Sequence, residues 1–250
     1  AQLRVLRSLA RLISMQTGGS SVVFFSKQFL RDHILSVLTF YAPTIEDQSG
    51  GFFQNFKDDG KVFDPGQRHL VSSCRMVFNY CQAYALFNED EYRRLAEHGL
   101  GYIRERHWDA EREGYHWTLT GGHQPDDQTN HCYGLAFVML SAAAATIVGI
   151  DARDDIDGAW QLLETHLWDS AAGLYADEAS PDWSSVDGYR GQNANMHTCE
   201  ALIAAFEATN EGRYLDRAYA IARRVVIDLA DKSDGLIWEH FTSELEVDWA

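Results

Sequence analysis

No apolar run in these 250 residues is long enough to cross a membrane. Basic residues are in deficit: 21 Lys and Arg stand against 37 Asp and Glu, a net charge of −16. That balance argues against nucleic acid or an anionic membrane as a partner and gives a well-solvated acidic surface. The only cysteines are Cys74, Cys81, Cys132 and Cys199, without C-x-x-C spacing, so they read as reduced thiols inside helices and place the protein in the cytoplasm. There are ten histidines but no H-E-x-x-H and no Cys/His cluster, and Glu239-His240 is a single pair, so neither a metal nor another cofactor is expected. No second domain is indicated, and a 46% hydrophobic content suffices for one sizeable core.

The first twenty-five residues stand apart. They carry Arg4, Arg7 and Arg11, no acid, and leucines near helical spacing, a composition like that of a mitochondrial transit peptide. Residues 1–25 are expected to be a disordered or non-native extension, and residues 26–250 one domain. Ser26 can cap a helix that runs through Phe29, Ile34 and Leu38 until Ala42-Pro43 ends it.

The remainder repeats itself. Gly51, Gly114, Gly173 and Gly235 each precede aromatic or aliphatic residues and lie 63, 59 and 62 residues apart. His107-Trp108-Asp109 is echoed by Leu167-Trp168-Asp169, and Asn88-Glu89 with Tyr92 by Asn210-Glu211 with Tyr214, 122 residues later. Self-similarity at this period means a stacked unit whose members cannot bury their apolar faces alone. Residues 211–231 are apolar every three or four positions, the pattern of an outer amphipathic helix. Residues 131–148 are apolar almost throughout, and residues 69–87 are similar, as inner helices should be. Two layers of helices joined by glycine-aromatic hairpins describe an all-α toroid.

The stretch from Tyr189 to Glu200 gathers an arginine, amides, a histidine and a carboxylate before an apolar helix. Asn193, His197 and Glu200 share a helical face, which lines either a hydroxyl-rich pocket or a polar cap. The offset of 122 makes Arg75 the counterpart of His197, while His131 and Tyr133 open the inner helix between them. Polar side chains from three inner helices thus meet at one mouth. Singly, Arg75 could instead be a buried ion pair between repeats, and Tyr133 simple packing. His98, His107 and His123 read as surface or turn residues, His166 as a contact at a repeat edge, and His240 as either a mouth residue or a structural one.

Gly50 to Gly60, Arg68 to Arg75, Asn130 to Phe137 and Arg190 to Ala201 resemble the N-acylglucosamine 2-epimerase superfamily, within it the bacterial D-mannose isomerase branch, over about Ser26 to Trp249. The resemblance implies an (α/α)6 barrel that interconverts aldoses and ketoses, here D-mannose and D-fructose, or epimerises sugars such as N-acylglucosamine or cellobiose at C2, without a metal. It implies Arg75 on the carbonyl-end oxygens, Tyr133 and Asn193 on hydroxyls, and His197 beside the reacting carbons; His131 and Glu200 complete the candidate pocket. The expected partner is a small sugar, with a homodimer left open. One departure is marked. The family's main proton-transfer histidines lie in a Pro-Gly-His-x-x-Glu-Trp segment and near the C-terminus, and neither is in this sequence. About four of six helix-pair repeats are expected, and a catalytically incomplete chain; a sugar- or protein-binding relic is the alternative of another class.

Overall fold

The computed structural model describes residues 24–232 and 234–248, so nearly all of the segment expected to be an extension lies outside the described residues. The chain divides after Ile45 into two units. In the first, α1 (Lys27–Tyr41) begins where expected: the Ser26 side chain accepts the Phe29 amide at 3.1 Å.

From Glu46 onward the helices alternate between two layers. The inner ones are α2 (Leu70–Phe87), α4 (Cys132–Ile147) and α6 (Gln192–Thr209); the outer ones are α3 (Asp90–Tyr102), α5 (Arg153–Leu162) and α7 (Gly212–Arg223). Each inner helix packs on the next inner one, and each outer helix on the inner helix before it. Because α4 lies between α2 and α6, it is buried from Gly134 to Ala145 without a break, which accounts for its lack of a polar face. Each outer helix ends in a π-helical turn, at Ile103–His107, Leu163–Leu167 and Arg224–Leu229, whose first or second and last residues point into the core.

Short strands tie the repeats together. The hairpin β1–β2 (Asn55–Phe56, Val62–Asp64) precedes the first inner helix, and the hairpins β4–β5 (Trp108–Asp109, Gly114–Tyr115) and β8–β9 (Trp168–Asp169, Leu174–Tyr175) follow the first two π-turns. The strand just before each inner helix then pairs with a strand after the following outer helix: β3 (Gln67–His69) with β6 (Thr118–Thr120), β7 (Asn130–His131) with β10 (Glu178–Ala179), and β11 (Arg190–Gly191) with β12 (His240–Phe241). The same junction caps the helix, since the first amides of α2, α4 and α6 donate to the carbonyls of Trp117, Asp177 and Glu239.

The register of the repeat needs one correction. At equivalent places in the four turns, Gly51, Glu113, Gly173 and Gly235 are held at positive φ, 70°, 52°, 69° and 81°, so the glycine-turn position in the second repeat is Glu113 and not Gly114. The period is then 62, 60 and 62 residues. Two largely buried ion pairs also recur, two periods apart. Arg68 and Arg190 are almost fully buried; each donates to two nearby backbone carbonyls and pairs with a carboxylate, Asp47 and Asp169 respectively. The role of a buried inter-repeat cation, open for Arg75 in the sequence, belongs to these two. His107 also departs from expectation: it is fully buried, at the position held by Leu167 and Leu229 in the other repeats. His98 is half-buried and bonds to the Gly51 carbonyl, and His123 bonds to the Tyr102 hydroxyl.

Candidate active site

The repeat places Arg75, Phe137 and His197 at one position in the second turn of the three inner helices, with Val71, Tyr133 and Asn193 one turn earlier. The structure brings most of them together. Arg75 donates from Nη2 to the Tyr133 hydroxyl at 2.9 Å and lies 4.7 Å above the Phe137 ring. The His197 ring meets Tyr133 edge-on at 5.1 Å and Phe137 at 5.2 Å. On its far side, His197 Nδ1 is 2.9 Å from Glu200 Oε2, as the three-residue spacing requires. A carboxylate on Nδ1 fixes the ring and its tautomer and leaves Nε2 as the reactive nitrogen. Asn193 stands one turn before His197 with an exposed side chain. Its neighbour Asn195 is the structural amide, fully buried and bonded to the Tyr175 backbone and to the Gly191 carbonyl.

His131 takes part in a second group at the same mouth. Its ring stacks on Trp117 at 3.8 Å, and Trp117 in turn meets His69 at 4.3 Å. His69 caps α2, accepting the Val71 amide on Nδ1 at 3.1 Å, so its proton sits on Nε2. Burial, with help from His131 and Arg75, holds the His69 pKa below the usual imidazole value. Burial pushes His131 down to about 4, although Glu178 Oε1 is 3.2 Å from Nδ1 and Asp127 is nearby. These two signals oppose each other. Burial prevails because the Glu178 side chain is half exposed and its charge is screened. Both imidazoles are therefore neutral near pH 7, which leaves Arg75 as the fixed cation among these groups. His131 Nε2 is buried without a hydrogen-bond partner among the described residues.

Asp177 closes the rim between α4 and α6. Burial raises its pKa to about 6, even though its carboxylate accepts the Gly191 amide at 2.6 Å. A Cβ on Gly191 would lie 2.6 Å from that carboxylate, so glycine is required for this approach. His240 is exposed on β12 and its Nδ1 lies 2.5 Å from the Tyr189 hydroxyl, and His166 stacks on Trp183 at a repeat edge, as expected. Phe137, Trp117, His69 and Asp177 were not singled out by sequence. Phe137 was within reach, because it lies 62 residues after Arg75 and 60 before His197.

Two layers of helices that gather a cation, a phenol and a carboxylate-backed imidazole at the amino ends of the inner layer define an α/α protein with a polar small-molecule pocket. Comparison makes the class specific: a model of the N-acylglucosamine 2-epimerase (GlcNAc 2-epimerase) family matches residues 51–250, and the chain belongs to that family. It is 50% identical over 228 residues, 90% of its own length, to a D-mannose isomerase of Marinomonas mediterranea, and 35% identical over 154 residues to one of Thermobifida fusca. A crystal structure of a D-mannose isomerase superposes with a TM-score of 0.88 at 50% identity, covering 92% of this chain and 59% of that one. The cellobiose 2-epimerase of Bacillus thermoamylovorans B4167 superposes at 0.81 with 19% identity, a likeness of fold alone, covering 89% of this chain and 62% of that one. The chain spans 57% of the length of the Marinomonas relative and 38% of the Thermobifida relative.

Proposed function

We propose that the protein is an aldose-ketose isomerase that converts D-mannose to D-fructose through an enediol. The observation that carries this reading is the meeting of Arg75, Tyr133 and the His197–Glu200 pair, from three successive inner helices, in a chain half identical to a D-mannose isomerase. Loss of the proton on C2 of the open-chain aldose sends its electron pair toward the C1 carbonyl, and negative charge builds on O1. Arg75 stabilises that charge where it develops, and Tyr133 and Asn193 hold neighbouring hydroxyls. His197, backed by Glu200, exchanges protons with the sugar at Nε2; return of a proton to C1, with transfer of the O2 proton to O1, completes the ketose. The neutral His131 and His69 line the mouth without competing with Arg75 for the oxyanion. Free cysteines at Cys74, Cys81 and Cys132, all buried, fit a cytoplasmic enzyme.

Incubation of the full-length gene product with D-mannose in heavy water tests the reading. Fructose should appear with deuterium at C1, and Arg75→Ala or His197→Ala should cut turnover about a hundredfold or more with the fold intact. Faster conversion of N-acylglucosamine or cellobiose at C2 would make the protein an epimerase. Saturable mannose binding without isotope exchange would make it a binding protein.

A further inference from the structure

The grooves between successive outer helices hold the same parts twice, with the charges exchanged. Between α5 and α7, Arg217 pairs with Glu164, at 3.0 Å from Nε, and lays its guanidinium 3.5 Å from the centre of the Trp168 ring. Tyr175, paired with Trp168 across the hairpin, donates its hydroxyl to Glu164. Between α3 and α5, the corresponding residues 60 or 62 positions earlier are Asp155 for Arg217, Arg104 for Glu164, Trp108 for Trp168 and Tyr115 for Tyr175. The ion pair survives, with Arg104 binding Asp155 through Nε at 3.0 Å and Nη2 at 2.5 Å. The side chain that covers the tryptophan does not survive. A short Asp155 stands where the long Arg217 stands in the other groove, and a cavity of about 400 Å³ is lined by Trp108, Tyr115, Arg104, Asp155, Asp151 and Asp154.

The charge of this cavity also differs from that of its counterpart. Asp151 occupies the position of Arg213, so a wall that is basic in one groove is acidic in the other. Arg104 is already engaged by Asp155 and by the Asp151 carbonyl at 2.7 Å. The carboxylates of Asp151 and Asp154 have no ion-pair partner within 4 Å among the described residues, and the three aspartates of the lining exceed its one arginine by two negative charges beside a tryptophan. A cation above an indole face is attracted by the ring quadrupole, and the second groove shows which cation this architecture seats there.

We infer that the cavity over Trp108 is a binding site for a small alkylguanidinium cation, seated as Arg217 is seated on Trp168, with Asp151 and Asp154 supplying the countercharge. The site lies between outer helices and is independent of the sugar chemistry proposed for the mouth.

Titration with ethylguanidinium, followed through the Trp108 indole N–H by NMR, tests it. A saturable shift confined to Trp108 is expected, with no response to the neutral isostere ethylurea. Asp151→Asn with Asp154→Asn, both at exposed positions, should weaken binding about fivefold or more. The double exchange Arg104→Glu with Asp155→Arg should place an internal guanidinium on Trp108 and abolish the response, while Arg217→Ala should create a second response at Trp168. A blocked arginine tripeptide should bind no better than ethylguanidinium, because only its guanidinium meets the indole and the carboxylates; a tenfold preference for the peptide would replace the free cation by a protein tail. Absence of saturation, equal binding of ethylurea, or indifference to both carboxylate substitutions overturns the proposal.

Discussion

His107→Leu should reverse its effect on stability with pH. His107 is fully buried, bonded through Nδ1 to the His116 carbonyl at 2.9 Å and near Ser73 Oγ at 3.3 Å. Burial lowers its pKa from 6.5 to about 4. For a base with a depressed folded pKa, the stabilising contribution is present above the unfolded value of 6.5 and is lost as pH falls through 4. The loss amounts to about 3 kcal/mol between pH 8 and pH 4. The other repeats carry Leu167 and Leu229 at this position, so leucine suits the geometry. At pH 8 the variant forfeits the hydrogen bond to the His116 carbonyl, at a cost of about 1 kcal/mol. Ser73 is not stranded, because its hydroxyl also donates to the His69 carbonyl at 3.1 Å. The variant should therefore be the less stable protein at pH 8 by about 1 kcal/mol, equal near pH 6, and the more stable by about 2 kcal/mol at pH 4. Urea unfolding of both proteins at several pH values, with m-values compared, measures the difference while charges common to both cancel. Parallel stability curves across that range would refute the reasoning.

Three further outcomes are expected. Arg190→Met should cost about 3 kcal/mol in urea unfolding at neutral pH, since it leaves Asp169 and two backbone carbonyls without their shared guanidinium. Asp177 has a folded pKa raised to about 6, so its contribution is present below 3.8 and lost as pH rises through 6; Asp177→Asn should stabilise by about 1–2 kcal/mol at pH 8, after allowance for partial exposure, and be neutral at pH 3.5. Glu113→Gly should raise stability by about 0.5–1 kcal/mol, read as a higher urea midpoint with unchanged m, because it relieves a left-handed residue that its repeat counterparts Gly51 and Gly173 occupy without strain.

The layers and the mouth were legible because both are periodic. A helix buried all round must be apolar all round, so α4 could be identified as an inner helix from composition, and the 122-residue offset joined Arg75 to His197 before any coordinates. What escaped was information that side chains carry only in three dimensions. Arg68 and Arg190 look like surface arginines in a sequence, because their burial depends on carbonyls and a carboxylate from a turn some twenty residues earlier. His107 hides likewise among charged neighbours in Arg104-Glu105-Arg106-His107, and only alignment with Leu167 exposes it as a core position. Gly114 misled by identity: it is the glycine nearest the expected place, yet it lies in β5 beyond the turn. The ladders between repeats are two or three residues long, too short for any alternation to be read.

The contacts of Arg75, Phe137 and His197 join second turns of α2, α4 and α6, so these three helices run in the same direction with their amino ends on one rim. Their peptide dipoles reinforce one another there, each contributing roughly half a positive charge near its start. The inner layer is therefore electrically lopsided: despite an acidic exterior, its amino rim favours negative charge, which the opposite rim repels.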